Sequence, residues 1–108
     1  MGRGEYLGEF EQIVLLAVAR LGVDGYGMQI RREIEARTDR AVTIGAVYAT
    51  LDRLESKGLL TTRDEAGNGR ARRFFAITPG GIDALETARE LQARMWSGLK
   101  LGRPARRL

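Results

Sequence analysis

The 108-residue chain contains no cysteine and no histidine. Those absences exclude disulfide cross-links, Cys/His zinc sites, thiol nucleophiles and imidazole acid–base chemistry. Serine occurs only as Ser56 and Ser97, neither in a turn of the kind that presents a nucleophile. The carboxylates are scattered among arginines, with no acidic pair in an apolar setting. Without the groups that activate a nucleophile the chain is not expected to be an enzyme, and nothing in it calls for a cofactor or a metal. No apolar run reaches the length of a membrane span. Met1–Glu5 is not followed by the apolar core of a signal peptide. A cytoplasmic location is the expectation.

What remains is a chain of single-domain length whose hydrophobic fraction, 44%, is ordinary for a folded protein. Its formal net charge is +4 and its sequence pI about 10.1. Arginine supplies nearly all of the positive charge, since lysine occurs only at Lys57 and Lys100. The planar guanidinium matches phosphates and guanine edges, so this bias suits nucleic acid.

Residues 1–8 read as a loose arm with three glycines. Phe10, Ile13, Val14, Ala17 and Leu21 recur at helical spacing and predict a helix over Glu9–Leu21. Leu15, Leu16 and Val18 make it apolar on further faces, which calls for burial nearly all round, in its own core or partly against a second subunit. After a turn at Gly22–Gly25, a second helix runs from about Gly27 to Thr38, with Ile30 and Ile34 inward and Gln29, Arg31, Arg32 and Glu35 outward. The third helix, Thr43–Lys57, begins at Thr43 as N-cap and buries Ile44, Val47, Leu51 and Leu54. Gly58 occupies the left-handed position of a Schellman stop, pairing Leu54 with Leu59. Leu59–Asp64 and Arg72–Thr78 are strand-like and flank an Asn68-Gly69 turn. Thr78-Pro79 opens a last helix as N-cap and first residue. Leu85, Ala88, Leu91, Met95 and Leu99 form its apolar seam, near the 3.5-residue spacing of helices that pair.

The order helix, helix, helix, strand, strand, helix predicts a mainly α fold with a small hairpin. It is a winged helix-turn-helix over 9–78, followed by a dimerisation helix over 79–101 and a basic tail over 102–108. Ala46, Thr50, Arg53 and Lys57 share one side of the third helix, small at its start and basic at its end. Such a side fits the major groove, with Thr43 and Tyr48 at the entering end and Arg53 and Lys57 nearer phosphate. A solvated helix without a ligand has the same pattern. Arg63, Arg70, Arg72 and Arg73 gather around the hairpin turn, a ribbon suited to a phosphate backbone and equally readable as solubility charge on an edge strand. Tyr26 stands where the second helix starts, open to a phosphate or to packing on the core, and Gln29 on its first turn is a further candidate DNA contact. Phe10 and Leu16 join the seam of the last helix as candidate dimer contacts. Trp96, the only tryptophan, either packs across that dimer or lines a pocket for a flat aromatic effector.

Gly25-Tyr26-Gly27, the run Gly45–Glu55, Lys57-Gly58-Leu59-Leu60 and the run Arg72–Gly81 together resemble the PadR-like transcriptional regulators over roughly residues 8–99. The resemblance implies a winged-helix dimer of the short type, usually a repressor of a palindromic operator. It places the third helix in the major groove through Thr43–Arg53 and the wing, with Arg70 and Arg72, on the flanking backbone. The last helix, helped by the first, would form the dimer. Phe74 and Phe75 stand where that family often has tyrosines, which removes any phenolic contact there. A winged helix that binds only protein is the alternative; it has no use for so concentrated an arginine ribbon.

Overall fold

The computed structural model describes residues 6–67 and 70–102, without the side chains of residues 66, 67, 70 and 71. Residues 1–5 of the expected arm and 103–108 of the expected basic tail lie outside that range. The elements are α1 (Glu9–Leu21), β1 (Gly25–Tyr26), α2 (Gly27–Thr38), α3 (Ile44–Ser56), β2 (Leu60–Gly67), β3 (Arg70–Ile77) and α4 (Pro79–Trp96), with a 3-10 turn over Gly22–Asp24. The helices fall where their apolar spacing put them, and the wing is longer than expected because its strands extend to within two residues of each other. One element was not anticipated. Gly25–Tyr26, read as turn and helix start, forms an edge strand on β3, so the sheet is three-stranded and antiparallel in the order β1-β3-β2.

The core is built where α1, α2 and α3 cross. Val14, Leu15 and Val18 meet Ile30, Ile34, Val47, Leu51 and Leu54, each at 2% exposure or less, and Phe75 and Leu60 close it from the sheet. Alternation on β3 sends Phe75 inward and leaves Phe74 on the other face. Leu7 and Phe10 pack on this core from its rim. Phe10 is therefore half-buried in its own chain rather than presented as a free contact. Leu16 does stand out, half-exposed.

Two local devices set the angle of α3. At its end, Gly58 adopts φ 76°, Leu59 N–H donates to Leu54 O at 3.0 Å and Gly58 N–H to Glu55 O at 2.9 Å, the Schellman pattern. At its start, Thr43 Oγ accepts from Ala46 N–H at 3.0 Å. The loop before it is stapled to α2: Arg31 Nε donates to Val42 O at 2.9 Å and Val42 N–H donates to Glu35 at 3.1 Å. Arg31 and Glu35, expected to face solvent, thus satisfy both backbone groups of Val42 and hold the turn of the helix-turn-helix.

α4 starts on the same turn that ends α3. Thr78 Oγ donates to Gly58 O at 2.8 Å and accepts from Gly81 N–H at 3.0 Å. Gly81 lies so close beneath Leu59 O and Ile77 that a Cβ there would collide with both. From this anchor the helix leaves the body of the domain. Leu85 and Ala88 are half-buried, but Leu91 is exposed and Met95 and Trp96 reach 79% and 55% exposure. The radius of gyration, 16.9 Å, exceeds the roughly 13 Å of a compact domain of this length. The helix ends at Trp96 with Ser97 as C-cap and Gly98 at φ 75°. Leu99 therefore follows the helix instead of continuing its seam.

Candidate nucleic-acid interface

The exposed side of α3 is rotated from where the sequence pattern placed it. Val47, Thr50, Leu51 and Leu54 are the buried residues of this helix. Gly45, Ala49, Asp52 and Ser56, spaced four, three and four apart on the opposite side, are all exposed. Thr50 is the clear correction. Expected on the reading side, it is 2% exposed, and its Oγ accepts from Arg53 Nη2 at 3.1 Å. A residue so enclosed cannot meet a base edge. Ala46 is exposed as expected, and Gly45 and Ala49, which the pattern missed, share its bare N-terminal half. A Cβ on Gly45 would meet nothing within 4 Å. Opposing the Val47–Leu51–Leu54 stripe by half a turn would have found this side.

The basic end of the expected face is also differently employed. Glu11, on the first turn of α1, accepts from Lys57 Nζ at 2.9 Å and lies 3.6 Å from Arg53 Nε. Its other oxygen accepts from Gly8 N–H at 2.9 Å, capping α1. Burial of the Glu11 side chain raises its pKa. The hydrogen bonds from Gly8 and Lys57, with the charges of Lys57 and Arg53, outweigh that and hold it below the usual carboxylate range. Lys57, expected nearer phosphate, is drawn instead onto α1.

Tyr48 is 40% exposed, and its hydroxyl presses on Gly27, leaving no room there for a Cβ. It joins α3 to the start of α2. Tyr26, the residue before Gly27, caps α2 in reverse: its N–H donates to Gln29 Oε1 at 3.3 Å, which commits the carbonyl of Gln29 to the helix end. The ring of Tyr26 meets Phe74 edge-on at 6.1 Å between centroids and carries the Arg72 guanidinium over its face at 4.3 Å. Tyr26 is thus a platform for the wing rather than a core residue.

The wing arginines divide by partner. Arg63 lies over Phe74 at 4.7 Å and near Asp24 and Glu65 at 3.7 and 3.3 Å. Arg73 pairs with Asp64 across the strands at 3.2 Å. These pairs are solvent-exposed and weakly held. Among the described residues Arg72 makes no ion pair and rests only on Tyr26. Arg70 lies on β3, and its side chain is outside the description. One surface therefore runs from the small turn of α3, through Tyr48 and the start of α2, to a positively charged ribbon. Among the described residues no cluster of acidic side chains could hold a metal ion, and no helix is long and apolar enough to cross a membrane.

A three-helix body carrying a β-wing, with the third helix bare at its start, defines a winged helix-turn-helix. The chain belongs to the PadR-like family of transcriptional regulators, whose profile, "Transcriptional regulator PadR-like family", matches residues 15–87. Membership of that family implies DNA binding. The chain is similar to the transcriptional regulator Rv3488 of Mycobacterium tuberculosis, with 40% identity over 60 residues, 56% of this chain and 55% of that protein. The match thus spans about half of each. Among solved structures, RosR of H. salinarum superposes with a TM-score of 0.70 at 27% identity, covering 89% of this chain and 83% of that one. A transcriptional regulator from Clostridium thermocellum gives 0.68 at 25%, covering 80% and 84%.

Proposed function

We propose that the chain acts as a homodimeric repressor on a palindromic operator. In this reading the Thr43–Ala49 turn of α3 enters the major groove, and Arg72 with Tyr26 grips the adjoining backbone. The observation that carries it is the bare face of Gly45, Ala46 and Ala49 together with a wing guanidinium, Arg72, that makes no ion pair among the described residues. Small side chains let a helix sit deep in a groove about one helix wide. The first backbone N–H groups of α3 add partial positive charge at that end. Arg73 and Arg63, in weak exposed pairs, can exchange a carboxylate for phosphate. Occupying a promoter is enough to repress it, so no further activity is required of the chain.

Dimerisation is supported by α4 and by its cleft with α1. That cleft, about 570 Å³, is lined by Leu16, Ala19, Ile82, Leu85 and Ala88. Exposed apolar groups continue along α4 to Met95. Mixed with Gln12, Glu86, Arg89 and Gln92, these apolar groups have the composition of a subunit interface. Two subunits would place their α3 helices about one turn of DNA, ~10 base pairs, apart. A gel-shift titration against the promoter of its own gene, at two salt concentrations, tests the DNA reading. Retarded duplex that weakens with salt is expected, and no complex at low salt would end it.

A planar aromatic compound that relieves repression by stacking on Trp96 is a corollary of the same dimer. The exposed indole beside Met95 supports it. Quenching of Trp96 fluorescence across a chemically varied aromatic panel is the measurement; a flat response throughout removes the idea.

A further inference from the structure

Glu11 stands apart from the rest of the surface chemistry. Its side chain is 11% exposed, yet it draws in two cations from another helix, Lys57 at 2.9 Å and Arg53 at 3.6 Å. Arg53 stays 56% exposed, so its pair is weakly held, while Lys57, 33% exposed, makes the closer and more sheltered contact; the best-attested use of such a sheltered pair is to fix geometry. The geometry here is particular. Arg53 lies on the last turn of α3 and Lys57, four residues on, is its C-cap, so the end of one helix is tied at two points to one carboxylate on another. Arg53 also donates to the enclosed Thr50 at 3.1 Å, which carries the tie to the middle of α3. On α1, the residue after Glu11 is Gln12, which lines the α1–α4 cleft together with Leu16.

We propose that Glu11 is a positioning residue that fixes the pitch of α3 against α1, and so sets the half-site spacing the dimer accepts. The proposal rests on the homodimeric DNA-binding reading above. α3 spans 13 residues, about 20 Å at the standard rise. Val47, Leu51 and Leu54 pin the middle of α3, so a tilt of about 10° moves each end by roughly 2 Å, about half a base step. Loosening the tie therefore changes the reach between the two reading ends without altering what either end contacts. The core holds the middle of α3, the Glu11 tie adds a polar restraint on its tilt at the far end, and α1 is both the mount of that restraint and a wall of the cleft.

The test compares duplexes whose two half-sites are separated by the optimal distance, by one base pair more or less, and by two, together with a single half-site. The full-length wild-type chain should lose about tenfold in affinity per base pair of misplacement, the scale of one unfavourable position in a site. Glu11→Gln, close in shape but uncharged, should narrow that penalty to about threefold, while affinity for the single half-site stays within error. Lys57→Met should flatten the profile in the same way and Lys57→Arg should keep it. A protein merely weakened in folding would lose affinity at every spacing alike. If Glu11→Gln is folded and dimeric with an unchanged spacing profile, the proposal falls. If Glu11→Gln does not fold, an unchanged profile in Lys57→Met overturns it equally. Failure of the wild-type chain to bind any duplex would remove the DNA reading first, and is told apart by the wild-type titration alone.

Discussion

The two ends of the positively charged surface carry the same kinds of side chain and use them in opposite ways. On the wing, Arg72 lies on the face of Tyr26 and makes no ion pair among the described residues, although Glu65 stands opposite it on β2. At the end of α3, Lys57 and Arg53 are turned back onto Glu11. What separates them is one acidic residue 46 positions away in the sequence. A basic residue on a DNA-binding helix is therefore no measure of contact with DNA until its own counter-charge has been located.

The comparison can be broken or sharpened by substitution. The largest effect is expected at the bare face between the two ends. Gly45→Leu puts a large side chain where the structure offers only solvent. Affinity for DNA should fall by roughly 3 kcal/mol, the upper range for a disrupted base position. The denaturation midpoint should be unchanged or higher, because glycine inside a helix is the poorer choice. Equal losses in binding and folding would show that the face is not an outer one.

Next is Glu11→Ala, which removes a helix cap and a charged hydrogen bond together. About 1–3 kcal/mol of folding stability should be lost at neutral pH, read from urea unfolding. The sign with pH follows from the lowered folded-state pKa of Glu11. Its contribution is fully present above the unfolded carboxylate pKa and disappears as pH falls through the lower folded value. Wild type and variant should therefore converge only in strong acid; a gap that persists there would mean that packing, not charge, held the pair together.

Arg72→Ala is smaller, about 1 kcal/mol in DNA affinity, spread evenly over sequences, with the salt slope lowered by about one phosphate contact. Smallest is Lys57→Gln, for which the slope of log affinity against log salt should not change. A drop equal to that of Arg72→Ala would place Lys57 on the backbone and erase the contrast between the two ends.

Much of this could be seen before any coordinates. The limits of α1 follow from its apolar spacing, those of α3 from Thr43 and Gly58, and the start of α4 from Thr78-Pro79, because caps and stops are local chemistry. What could not be read is relational. Gly25–Tyr26 is a strand only because β3 lies beside it; two residues carry no period. The face of α3 was misjudged because Ala46, Thr50, Arg53 and Lys57 do form a true helical row, one that lies along the flank toward α1. Thr50, flanked in space by Val47, Leu51 and Leu54, belongs to the core on geometric grounds that its polarity conceals. Glu11 sat within an apolar helix without attracting notice, since its partners come from the other end of the three-helix body. Its place in the helical row Glu11, Val14, Leu15, Val18, an acid aligned with the buried stripe of α1, is the signal that would have found it.

The open ground around Gly45 has a wider implication. Along α3 the residues that hold the protein together and those that face outward are different residues, and positions 45, 49 and 52 can be exchanged without displacing a buried neighbour. On the DNA-binding reading proposed above, target preference can then drift while folding is left alone. Copies of such a gene could acquire new addresses on the chromosome through single outward substitutions, with no compensating repair inside the molecule.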